Sequence, residues 1–215
     1  MTAPTDTTGK SVTRRVARLA TEVLAPWVWV LGLPLAIGWH ATKTVTGALL
    51  CGLIVGITGS VIPMVVIIRG ARRGRWDSHH VTNREGRVIP FIACITSLGG
   101  GIAILVLGGA PRQMVALALA MFATLVVSLA ITFALPVGGV RGWKISMHAA
   151  VAAGSAVILT VAYGPWLLLV SIAVVLVAWS RVELGDHTTP QVTAGTVVGL
   201  VVGGLPYWLM TLGAW

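Results

Sequence analysis

Long apolar runs alternate with short polar breaks along the whole chain. The runs cover about 24–41, 45–68, 88–108, 114–135, 145–163 and 166–183, and a seventh starts after Pro190 and ends near Met210. Each approaches the roughly 20 residues needed to cross a bilayer core as a helix. The breaks are compact: a loop RGARRGRWDSHHVTNREGR at 69–87, a shorter PVGGVRGWK at 136–144, the breaker pair Gly164-Pro165, and WSRVELGDHTTPQ at 179–191. The pattern predicts an all-α fold, a polytopic integral membrane helix bundle of six to seven transmembrane helices. Residues 1–22 form a basic tail that becomes an amphipathic helix, and 23–215 form one membrane-embedded domain. A basic start before an apolar run imitates a signal peptide, but the run from Val23 to Ala41 is long enough to remain as a span.

Small residues fit this reading. Gly195, Gly199 and Gly203 recur every four residues, as do Gly52 and Gly56, a spacing that lets helix backbones approach closely. Trp27, Trp166, Trp208 and Trp215 fall near span ends, where amphipathic rings sit at the lipid headgroups.

Composition sharpens the class. Of 215 residues, 56% are hydrophobic and 10% charged, against about 25% charged in soluble domains. Cys51 and Cys94 lie inside apolar runs with no metal-ligand spacing and read as small buried hydrophobes. The net charge of +9 comes without an aromatic-interleaved basic patch, so nucleic acid is not expected as a partner. Thirteen of the fifteen cations fall on one side of the predicted bundle: Lys10, Arg14, Arg15, Arg18, Arg69, Arg72, Arg73, Arg75, Arg84, Arg87, Arg141, Lys144 and Arg181. Only Lys43 and Arg112 fall on the other. The positive-inside rule makes the richer side cytoplasmic, in a multi-pass protein of the cell membrane.

That side also collects the candidate chemistry. His148 sits in the first turn of the fifth span, His187 in the loop before the seventh, Arg181 at the end of the sixth, and Arg84 and Arg87 in the basic loop. Ionisable groups at a membrane edge are costly to bury and are functional candidates for that reason. Several arginines with a helix N-terminus suit a multiply charged anion, phosphate above all. Ser146 adds a hydroxyl and the first amides of the fifth span add donors. With two histidines, one can attack phosphorus while the other protonates the leaving oxygen, and the arginines neutralise transition-state charge without a metal. Asp77, His79 and His80 form a local loop cluster that reads as solvated rather than as a metal centre, and His40 lies at the opposite span end.

The run Ser180-Arg181, five residues, then His187 resembles the third signature, SRxxxxxH, of the type 2 phosphatidic acid phosphatase (PAP2) superfamily. The continuation HTTPQV is similar to the HTxxQV of its dolichyl-diphosphatase-like and bacterial lipid phosphatase branch. KISMHA stands where that family has PSGH and keeps Ser146 and His148. The resemblance covers roughly the second span to the C-terminus. It implies a PAP2-like core, His187 as the nucleophile that becomes phosphohistidine, His148 as general acid, and Arg181 and Ser146 as phosphate ligands. Met147 replaces the family glycine and would offer its backbone N–H, with Lys144 adding positive field. Two departures stand out. The first signature, KxxxxxxRP, is replaced by HHVTNREGRVIP, where Arg84 and Arg87 are the candidate cations; and the usual carboxylate orienting the nucleophile is Gln191. Asp186 and Glu183 are the other orienting candidates. Pro190 fits the first turn of a helix capped by Thr189, leaving His187 just outside it. The implied function is cofactor- and metal-independent hydrolysis of a membrane lipid phosphate or diphosphate, isoprenoid-linked substrates favoured. A non-catalytic binder or transporter of phosphate-bearing lipids, or a phosphotransferase with an acceptor other than water, fits the same cluster.

Overall fold

The computed structural model describes residues 7–75, 86, 88–133, 136–137, 140–141 and 143–213, with side chains within 11–75, 86, 88–133 and 143–213. Among the described residues the regular structure is helical apart from a two-residue ladder. The helices are α1 Thr7–Val23, α2 Pro26–Thr42, α3 Val45–Arg72, α4 Val88–Leu107, α5 Arg112–Phe133, α6 Met147–Tyr163, α7 Pro165–Glu183 and α8 Thr189–Thr211. Between α5 and α6, β1 Pro136–Val137 pairs antiparallel with β2 Val140–Arg141.

Each predicted run is one of these helices, with ends displaced by a few residues. Five of them, α3, α4, α5, α7 and α8, are long and apolar enough to cross a membrane. A sixth span results if α1 and α2, bent by 41° at their junction, count as one. The runs at 24–41 and 145–163 form helices of 17 residues each, the short end of what crosses a bilayer core. Pro26 starts α2, and Lys43, at φ 53, ends it, so the helix has 17 residues. Ser146 becomes the N-cap of α6, which also has 17 residues, about 26 Å at 1.5 Å per residue.

The reason α6 is short and still central lies in its composition. Ala149, Ala150, Ala152, Ala153, Gly154 and Ser155 are all buried, and α2, α7 and α8 pack on it. Small side chains let backbones approach without large cavities, the packing mode that holds helices together in lipid. Large apolar side chains face outward instead: Leu168, Leu169, Ile172 and Val175 of α7 are all about three-fifths exposed or more, as lipid-facing positions would be. On the far side from the candidate chemistry, Thr44 caps α3 by accepting from Gly47 N–H at 3.1 Å, which closes the tight α2–α3 hairpin. There His40 and Tyr163 meet edge to face at 4.9 Å.

Two stretches relax into wider π turns, Ile57–Val61 in α3 and Gly199–Gly204 in α8. Gly59, Ser60 and Gly203 from these turns line a cavity of about 210 Å³ in the bundle. Cavity-lining π turns are a common way to reshape a helix near a site.

Candidate active site

The end of α7 explains how the SRxxxxxH spacing brings its two ends together. Gly185 adopts φ +76, the left-handed conformation that glycine takes without the Cβ clash. Its N–H donates to Val182 O at 3.0 Å, and Asp186 N–H donates to Arg181 O at 3.1 Å. That pair of bonds is a Schellman closure, which turns the chain back over the last helical turn. His187 N–H then donates to the same Arg181 carbonyl at 3.1 Å. The histidine is thereby fixed beside the arginine by backbone geometry alone.

Thr188, with extended backbone, is the N-cap of α8 and Pro190 falls in the first turn. The cap is thus one residue earlier than the expected Thr189, because Gln191 folds back to it: Thr188 N–H donates to Gln191 Oε1 at 3.1 Å. The same oxygen lies 3.2 Å from His187 Nδ1. An atom accepting from a backbone N–H is the amide oxygen, so the ring nitrogen facing it carries the proton. Gln191 therefore favours a proton on His187 Nδ1, and in the neutral ring that puts the lone pair on Nε2. Asp186 does not take that role. It pairs with Arg181 instead, Oδ2 to Nη2 at 3.0 Å.

The second histidine is placed by α6. Ser146 Oγ accepts from Ala149 N–H at 3.4 Å as the N-cap, and Ser146 N–H donates to Gln191 O at 3.2 Å. This backbone bridge ties the start of α6 to the first turn of α8. Gly195 and Gly199 complete the contact. A Cβ on Gly195 would run into the Ser146 carbonyl, and one on Gly199 into that of Ala150. The four-residue glycine spacing is what brings α8 onto the helix that carries His148.

His148, Arg181 and His187 are all buried and all line the 210 Å³ cavity, as does Met147. From that polar end the cavity continues between apolar side chains, among them Leu33, Met121 and Ile158. Arg181 is 1% exposed. One guanidinium nitrogen meets Asp186, whereas Nε and Nη1 are buried with no hydrogen-bond acceptor among the described residues. A buried donor left in that state costs about 1–3 kcal/mol, which an anionic oxygen at the cavity end would recover.

The structure therefore brings together His148, Met147, Arg181, His187 and Gln191. Ser146 stands at the same helix start but spends its hydroxyl as a cap, and neither it nor Lys144 lines the cavity. Arg84, Arg87, Asp77, His79 and His80 lie outside the described residues. The cysteines remain free thiols, partly buried in α3 and α4.

One contact has no signature in the sequence. Helix α1 is not a free tail: Ala17 and Thr21 are buried, and Thr21 Oγ1 donates to Ser180 Oγ at 3.1 Å. Glu22 is near enough to Arg181 to attract it. The signal, two small residues four apart in a basic helix, is too ordinary to read without its partner.

Comparison with family models, with curated proteins and with solved structures gives no match in any of the three.

Proposed function

We propose that this chain hydrolyses a membrane lipid phosphate or diphosphate through a phosphohistidine on His187. The observation that carries the reading is the buried Arg181, with N–H groups that find no acceptor among the described residues, lining the same cavity as two histidines. A planar guanidinium of fixed charge matches phosphate oxygens, and the apolar continuation of the cavity suits a lipid tail. The resemblance to the type 2 phosphatidic acid phosphatase superfamily supports the same chemistry and tilts it toward isoprenoid-linked substrates.

The steps follow from the tautomer. His187 Nε2 attacks phosphorus, forming an N–P bond as the P–O bond to the lipid oxygen breaks. His148 donates its proton to that oxygen, so the lipid leaves as an alcohol, or as a monophosphate from a diphosphate. The Gln191 carbonyl accepts from Nδ1–H and stabilises the ring as it gains positive charge. Water then attacks phosphorus, His148 takes its proton, and the N–P bond breaks to release inorganic phosphate. Arg181, with the α6 N-terminal amides around Met147, neutralises the equatorial oxygens.

The test is phosphate release by the detergent-purified chain over a panel of isoprenoid and glycerolipid phosphates, with chelator present. Release that survives chelator and is lost in both His187→Ala and His148→Ala supports the reading and names the substrate class. Tight lipid binding with no release from any substrate overturns it in favour of a binder. A phosphorylated organic acceptor in place of free phosphate would make the chain a transferase.

A further inference from the structure

Helix α1 carries an apolar stripe that none of the described residues covers. Val12, Val16, Leu19 and Val23 are 55%, 50%, 65% and 57% exposed. At 100° per residue these four fall within an arc of about 60°. Ala17 and Thr21, the buried residues of this helix, lie on the opposite face and seat it against α7. The stripe thus points directly away from the protein. Arg15 and Arg18 are exposed along one flank, and Arg14 is exposed beyond them toward the Thr21 face.

We infer that α1 is an interfacial helix that docks on the anionic headgroup surface of the leaflet beside the α7 end of the bundle. Three observations select that occupant. Only Leu24 and Ala25 separate α1 from α2, so the stripe stays at the level where the apolar runs begin. A helix with an apolar face and arginines on its flank gains from hydrocarbon on one side and acidic headgroups on the other. A second copy of this chain is a poor occupant, because a net charge of +9 sets arginine against arginine. The inference stands whether or not the chain is a phosphatase. The Thr21–Ser180 bond places the docked helix one residue from Arg181.

The experiment uses the full chain with Cys51→Ser and Cys94→Ser, reconstituted in vesicles of phosphatidylcholine with or without phosphatidylglycerol. Nitroxide labels at Val16→Cys, Leu19→Cys and, on the polar flank, Ser11→Cys report collisions with oxygen against a water-soluble nickel chelate. All three positions are exposed, so labelling does not disturb packing. Labels at 16 and 19 are expected to favour oxygen and the label at 11 the chelate. Phosphatidylglycerol should shift 16 and 19 deeper, and the combined Arg14→Gln, Arg15→Gln, Arg18→Gln variant should lose that shift. Chelate access at 16 and 19 equal to that at 11 overturns the inference. So does dipolar broadening between labels on different copies, which would make the stripe a self-association surface.

Discussion

At His187 the imidazole and the Thr188 N–H share one acceptor, Gln191 Oε1, and the proposed chemistry starts from that geometry. Gln191→Leu removes the acceptor from both. One hydrogen bond is worth about 0.5–1.5 kcal/mol, so kcat should fall about tenfold with little change in KM, read from steady-state phosphate release. The two histidines separate by leaving group. His148→Ala should lose about 10²–10⁴ in rate on alkyl phosphates and regain most of it on p-nitrophenyl phosphate, whose leaving oxygen needs no proton. His187→Ala should regain none. The sequence made both histidines and Arg181 legible because ionisable groups stand out against apolar runs. It hid the division of labour between Gln191 and Asp186, since which of them reaches the ring depends on where α8 begins. That start shifts by one residue between two adjacent threonines.

Among elements, the α7–α8 corner depends on one left-handed residue and the α6–α8 contact on two absent side chains. Gly185→Ala forces a Cβ into φ +76 at a cost of about 1–2 kcal/mol, and it displaces His187 from Arg181. Thermal unfolding in detergent should drop and activity with it, whereas Gly32→Ala, with open space around it, should change neither. Gly199→Leu drives a side chain into the Ala150 backbone and should separate the helices that carry the two histidines, abolishing activity even where the protein still inserts. Hydropathy alone located the helices, because burial in lipid is written in composition. It did not show that α6 sits at the centre of the bundle, because an alanine-rich helix packed among others looks like a lipid-facing one. The docking of α1 was invisible for the complementary reason: Ala17 and Thr21 carry no pattern until Ser180 is beside them.

For the molecule as a whole, small residues inside and large ones outside are the arrangement a bundle in lipid would take, and the described candidate residues gather at one end. The distribution of cations predicts that this end is cytoplasmic. In the cysteine-free background, Gly74→Cys should react with a membrane-impermeant maleimide only after the cells are opened, and Lys43→Cys should react from outside in intact cells. Both positions are exposed, so access depends on the side alone.

Whether His187 carries the phosphoryl group is decided by quenching turnover of a lipid labelled at phosphorus and mapping the label on the protein. An acid-labile, base-stable phosphate is expected on His187, present with chelator and absent from His187→Ala. Phosphate release with no label on His187, or release that persists in His187→Ala, would contradict it.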